Sequence, residues 1–239
     1  MSHTTRKGCQ LYAFVATCLC LVASIVAYDV PLEKADPPLM KPRETLPEIT
    51  HRVYFTIEVD GEEQEEKIIF GLFGTSTPKT VENFVALANC DHGLGKKSGK
   101  PLCYKGTPIH RIVPGFGFSG GDVVFHDGTG GESIWGGVFD DESFAVRHNT
   151  RGLISMANRG RNTNGSQFFV NTAKTQWLDG KFVAFGMVLE GADLIYDVIE
   201  DYGQFGGTPT GKVIIKDCGT MPLLPEDKKV HYVTEWETE

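Results

Sequence analysis

The amino-acid sequence predicts a mainly β protein, a barrel with two helical caps, and three observations carry that prediction. Between residues 51 and 221 the dominant period of apolar residues is two, the period at which alternate side chains of a strand face one side of a sheet. Segments with that period number about eight and are separated by Gly-rich turns, which favours a closed barrel or a sandwich. Only two stretches show the spacing of an amphipathic helix.

A chain of 239 residues with 41% apolar content is long enough to bury one sizeable core. At its start Arg6 and Lys7 precede the uncharged run "LYAFVATCLCLVASIVA", Leu11 to Ala27, the layout of a secretory signal peptide with small residues before a cut after Ala27. The run is shorter than the ~20 residues of a spanning helix, so cleavage of residues 1–27 is expected, with no stable membrane insertion. A retained signal anchor is the minority alternative. Residues 28–50 hold Pro31, Pro37, Pro38, Pro42 and Pro47 among charges and read as an extended tether.

"HRVYFTIEVDG" alternates Val53, Phe55, Ile57 and Val59 before the turn pair Asp60–Gly61, and "KIIFGLFG" follows, so the pair reads as a β-hairpin. In "TPKTVENFVALAN" Thr77 is placed to cap a helix, Pro78 fits its first position, and Val81, Phe84, Val85 and Ala88 share one face. Further strands are expected in "HRIV", "DVVF", "GLISM", "QFFVN", "KFVAFGMVL" and "KVIIKDCG". The second helix is expected in "EGADLIYDVIEDYG", with Leu194, Ile195, Val198, Ile199 and Tyr202 as its apolar stripe and Gly203 as its stop. Residues 222–239 form an acidic tail.

Losing Arg6 and Lys7 with the signal leaves 21 of the 23 basic residues against 31 acidic ones, a balance of -10, which excludes a nucleic-acid footprint. The histidines show no i, i+4 pair and no Cys-x-x-Cys partner, so no metal site is expected. "GTGGES" lacks the lysine of a phosphate loop and reads as a turn. "IHRIVPGFGFSGGD" holds two motifs at once: Gly115, Gly117 and Gly120 spell a dinucleotide loop, and Gly117, Ser119 and Gly121 spell a serine hydrolase elbow. Both motifs act by handing a strand into a helix, whereas "DVVFHDGTGG" is β-branched and then turn-like. A hydrolase built on Ser119, with His126 or His148 downstream, rests on composition alone. In a strand His110 and Arg111 face opposite ways, so only one can point into a shared pocket. An arginine among Phe116, Phe168 and Phe169 needs an acceptor, or else its stem lies along those rings with its head in water.

"TPKTVENFVAL", "YKGTPIHRIVPGF", "GTGGES", "SMANRGRNTNGSQFF" and "TAKTQWLDGKFVAFG" stand in an order and spacing that resembles the cyclophilins, peptidyl-prolyl cis-trans isomerases, from about His51 to Met221. "LGKKSGKPLCYKG" is similar to the longer loop of a subset of that family. The resemblance implies an eight-stranded antiparallel closed barrel capped by two α-helices, and an activity that uses no nucleophile, metal or cofactor. It also supplies the acceptor for Arg111, a substrate proline and the carbonyl before it. By position it makes Arg111, His110 and Gln167 the catalytic set, with Asn158 fixing the substrate backbone. Phe116, Phe169 and Leu178 match the apolar floor under the proline ring, and Trp177 the indole that contacts cyclosporin A in drug-binding members. Ala157, Gly128, Arg159 and Phe182 complete the substrate-binding positions.

Where the family usually has a methionine and a glutamine after Gly-Phe, this chain has Gly117 and Ser119, and both misleading motifs arise from these two residues. The missing methionine is expected to loosen the pocket wall, and serine is too short to brace Arg111. Arg159 stands where a small alanine is usual and Phe182 where a histidine is usual. At the mouth of a second pocket an arginine is expected to narrow the opening and to favour acidic residues before the substrate proline.

Signal cleavage would leave Cys90, Cys103 and Cys218, which allows one disulfide and one free thiol, or none. Cys90 and Cys103 bracket "DHGLGKKSGKPL", while the family subset suggests a pairing to Cys218, although its loop cysteine position is Ala88 here. The expected protein is a monomeric isomerase of the secretory pathway, in the endoplasmic reticulum lumen or secreted, acting on proline-containing clients with reduced or shifted specificity. Its rival is a catalytically weak module that binds proline-containing segments as a chaperone or scaffold.

Overall fold

Period-two alternation builds the sheet. The computed structural model describes residues 45–228; the expected signal peptide at 1–27, most of the tether and the end of the acidic tail lie outside them. In chain order the strands are β1 (His51–Val59), β2 (Glu62–Leu72), β3 (Arg111–Val113), β4 (Gly117–Gly120), β5 (Leu153–Met156), β6 (Phe168–Asn171), β7 (Ala184–Glu190) and β8 (Val213–Met221). They pair antiparallel in the order β3-β4-β6-β5-β7-β2-β1-β8. Asp60 and Gly61, with φ of 49° and 93°, make the tight β1–β2 turn whose twist matches the hairpin.

The two end strands are not paired to each other as strands, so the sheet is curled and open where the sequence led us to expect a closed barrel. The segment before β3 reaches β8 through Ile109 N to Val213 O (2.8 Å), Ile215 N to Thr107 O (3.0 Å) and Gly106 N to Ile215 O (2.7 Å). Pro108 stands opposite Ile214 as a non-hydrogen-bonded pair between those bonds, where its missing N–H costs the contact nothing, and the contact is an isolated bridge.

The one α-helix among the described residues, α1 (Pro78–Asn89), sets the ring of Phe84 at the centre of the core, 5.1 Å from Tyr104 and from Phe185 and 5.5 Å from Phe168, centroid to centroid. Such aromatic pairs add ~1 kcal/mol each to the burial of their area. Thr77 does not cap this helix. Its hydroxyl donates to Phe73 O at 3.1 Å, and the Glu142 carboxylate accepts from Lys79 N and Thr80 N, both at 2.9 Å. An acid brought from 62 residues away thus meets the positive end of the helix.

Two further expectations are corrected. "DVVF" is not a strand, because the Asp122 side chain takes the backbone N–H groups that a ladder would need; the strand here is the preceding "GFSG". The second helix buries Leu194, Ile195 and Ile199 as its stripe required, but it winds as a π-helical segment (Leu194–Ile199) followed by a 3-10 turn (Glu200–Tyr202). Packing also extends past the expected domain limits. Leu46 and Ile49 are buried with Phe73, Val146, Leu153 and Ala184, and buried Arg52 pairs with buried Asp227 at 3.4 Å and also with Glu190.

The loop after α1 is closed by a disulfide between Cys90 and Cys103, whose Cα atoms are 4.4 Å apart, while Cys218 is a free thiol in the core, pushed up to about 12 by burial. Glu132, buried, accepts from Lys97 N and Ser98 N at 2.8 Å and ties the tip of that loop to the main body. With its ends 13 positions apart, this loop is of the size for which loss of the cross-link costs ~3 kcal/mol of unfolding free energy. Cys103→Ser is expected to lose that amount in urea unfolding and Cys218→Ser is not, with peptide mapping under non-reducing conditions as the check on the pairing.

Candidate active site

The register of four strands lines up the site. Arg111 on β3 lies opposite Ser119 on β4, Ser119 opposite Phe169 on β6, and Phe169 opposite Ser155 on β5. Residues directly opposite share a face of the sheet, so Arg111, Ser119 and Phe169 form one row. The neighbouring row, Ile112, Phe118, Val170 and Ile154, points into the core and is buried.

A cavity of about 370 Å³ opens beside this row, lined by His110, Arg111, Ser119, Gly128, Ala157 and Gln167 among others. His110 and Arg111 both line it, against the expectation that only one would, because His110 lies just ahead of β3 and strand alternation does not bind it. Arg111 is exposed, and among the described residues no hydrogen bond or ion pair holds its guanidinium. Burial lowers the pKa of His110, only partly offset by Asp122 and Asp127, so its ring is neutral at pH 7. A Cβ at Gly128 would lie 2.6 Å from His110 Cδ2; the absent side chain is what lets the ring sit there.

A second cavity of about 150 Å³ shares Gly128, Ala157 and Gln167 with the first and adds Asn158, Arg159 and Val138. Arg159 spans it. One guanidinium nitrogen donates to Thr129 O at 2.6 Å, Gly128 O at 3.2 Å and Gly130 O at 3.4 Å. Gln167 Nε2 donates to Gly128 O (2.9 Å) and Gly130 O (2.7 Å); since both neighbours are carbonyls, its NH₂ must face them and only its oxygen is left for a ligand. The Asn158 side chain turns back into the protein, donating to Lys181 O at 2.8 Å and accepting from Gly160 N at 3.1 Å.

The remaining expected residues line neither of these two cavities. Phe116 and Phe169 stack at 6.2 Å, and Phe182 meets Phe169 edge-on at 5.4 Å. Leu178 is buried and Trp177 exposed on the short turn Gln176–Leu178. Beneath Phe169 the buried His148 ring stacks at 6.1 Å, held by Asp179 Oδ1 at 3.0 Å and Ser155 Oγ at 2.9 Å. This Ser–His–Asp chain is the one such chain among the hydrogen bonds of the described residues, and both Ser155 and His148 are wholly buried. Ser119 lies within β4 instead of on a strand-to-helix elbow.

Gly117 lies where β4 runs close to β6. Its φ is 147°, a region that favours glycine, and a Cβ there would stand 2.0 Å from the Val170 carbonyl oxygen. No side chain fits there without movement of the strand.

The residue that sequence reasoning missed is Asp122. Its buried carboxylate accepts from five backbone N–H groups, those of Val124 and Phe125 on one oxygen and of Asp127, Gly128 and Gly130 on the other, at 2.9–3.3 Å. An acid ahead of "DGTGG" is a turn signal that could have marked it. Burial alone would raise its pKa, but the hydrogen bonds from Phe125, Gly130, Val124 and Gly128 hold it down at about 2.

Two cavities share a wall beside a row of aromatic rings, a loop of carbonyls and a cation that among the described residues has no partner, and the Ser155–His148 pair is buried, an arrangement suited to binding and conformational catalysis more than to bond cleavage. Residues 54–220 match the family model for "Cyclophilin type peptidyl-prolyl cis-trans isomerase/CLD". The peptidyl-prolyl cis-trans isomerase CYP21-1 of Arabidopsis thaliana is 46% identical over 175 residues, which cover 73% of this chain and 77% of that protein. The chain belongs to the cyclophilin-type peptidyl-prolyl cis-trans isomerases, and its activity is the interconversion of cis and trans X–Pro bonds.

Asp122 contributes stability that is fully present above its unfolded pKa near 3.8 and is lost as pH falls through about 2. The shift corresponds to roughly 2 kcal/mol. Urea unfolding of Asp122→Asn against the unsubstituted protein is expected to show a deficit of at least that size at pH 6, shrinking at pH 2.5. An equal deficit at both pH values would reject the assignment.

Proposed function

We propose that isomerisation takes place in the cavity beside Arg111 and that the chain performs it on proline-containing clients of the secretory pathway after losing residues 1–27. The observation that carries the first part is the exposed, unpartnered Arg111 guanidinium beside a floor of aromatic rings. Cis and trans X–Pro are separated by ~20 kcal/mol because the nitrogen lone pair is delocalised into the carbonyl. Twisting the amide localises that pair on nitrogen. A guanidinium, always charged and only a donor, stabilises the twisted state more than either planar one, and this difference is what accelerates the step.

In this reading Phe116, Phe169, Leu178 and Phe182 hold the proline ring. Gln167 accepts a client N–H through its one free oxygen, and neutral His110 shapes the wall. Trp177, exposed on the turn Gln176–Leu178, would carry contact to cyclosporin A. Arg159 supports the shifted specificity: it narrows the second cavity, and its uncommitted donors are those a client carboxylate would take. Gly117 and Ser119 favour a second reading, a weakly catalytic module that binds proline-bearing segments, because among the described residues neither braces Arg111.

Turnover separates the two. Arg111→Ala is expected to lower kcat/KM by about 10²-fold, the usual loss of one transition-state donor, and Ser119→Gln to raise it by bracing the guanidinium. An Arg111→Ala protein as active as its parent would leave only the binding module. For the compartment, N-terminal sequencing of chain recovered from a secreting cell is expected to begin at Tyr28; retention of residues 1–27 in a membrane fraction would instead favour the anchor.

A further inference from the structure

Phe205 is fully exposed, at 101% of its reference surface, more than any other large hydrophobic side chain among the described residues. Scattered apolar side chains are normal on a protein surface. Phe205 is set apart by its base. Residues Gln204 to Gly207 form a tight turn closed by Gly207 N to Gln204 O at 2.7 Å, and the Gln204 side-chain amide donates to Thr208 O at 2.6 Å. Two backbone bonds dock the turn on β3, Ile112 N to Gly207 O (2.8 Å) and Gln204 N to Ile112 O (3.4 Å). Phe205 takes the second position of that turn, where a large apolar ring serves no turn geometry. Being uncovered, it serves no core either.

The same turn is a wall of the Arg111 cavity. Gly206, Gly207 and Thr208 line it, and a Cβ on Gly207 would stand 2.5 Å from Arg111 Nη1. Asp127, Thr129 and Thr208 make the nearby rim polar. A ring on a backbone already held by four hydrogen bonds gives up little further freedom when a ligand covers it, which is the condition under which a single apolar contact counts towards affinity.

We propose that Phe205 determines client specificity, as a rigid apolar platform at the lip of the Arg111 cavity that receives an apolar or aromatic client side chain within two residues of the proline. The inference rests on the reading of that cavity as the prolyl site. It concerns selection among clients and not the twisting of the amide, so its failure can be told apart from failure of that reading.

The test uses the full chain and proline peptides in which Phe, Leu or Asn is placed in turn at each of the two positions on either side of the proline, with isomerisation followed by NMR exchange. The unsubstituted protein is expected to prefer Phe or Leu over Asn at one of these positions. In Phe205→Asn that ratio of kcat/KM is expected to fall about fivefold, the factor that ~40 Å² of apolar surface kept from water supports, and in Phe205→Trp to persist. Equal ratios in Phe205→Asn and the unsubstituted protein at every position, with Arg111→Ala inactive, overturn the role of Phe205 alone. Full activity of Arg111→Ala overturns the cavity reading and this inference with it. Phe205 packs against nothing, so the variants are expected to keep the parental unfolding midpoint.

Discussion

The active face depends on one carboxylate. Asp122 gathers five backbone N–H groups, and in doing so turns the carbonyls of the same loop outward. Those carbonyls then hold the Gln167 amide and the Arg159 guanidinium, which belong to other parts of the chain. Two walls of the groove are thus set at second hand by an anion that touches no ligand. A charge buried among amide dipoles costs little because every lone pair is answered, and its satisfied network makes the loop stiff.

This stiffness divides labour among the polar groups. Gln167, Asn158 and Arg159 each spend donors on the protein, while Arg111 has none spent among the described residues. A catalyst of bond rotation needs little else: a fixed field aimed where the electron pair gathers, and surroundings that do not reorganise. The His148 chain beneath Phe169 belongs to the same economy, since a neutral, doubly held ring under the floor resists displacement without offering an exposed nucleophile.

Much of this was legible in the sequence where the cause is local. Alternation marked β1, while short apolar runs bounded by turns marked β2 and β5 to β8, of which β5 and β6 are buried on both faces. The apolar stripe of the second helical segment was legible, but its winding was not, since i+4 and i+5 bonding share nearly the same buried face over six residues. What escaped is long-range. The cap of α1 comes from Glu142, and "DVVF" has the composition of a strand yet loses its ladder to a side chain that precedes it. In the site, the matched segments placed His110, Arg111 and Gln167 in one cavity, whereas the engagement of Arg159 with loop carbonyls, and the absence of any partner for Arg111, are properties of distance that no motif spells.

The conformation at Gly117 bears on which substitutions the chain can accept. With the Val170 carbonyl where a side chain would begin, a larger residue at 117 becomes admissible only after β4 or β6 has shifted. The order of events is therefore constrained: backbone displacement first, side chain second. A single substitution at 117 is therefore expected to disturb the β4–β6 pairing before it adds any side chain to the groove.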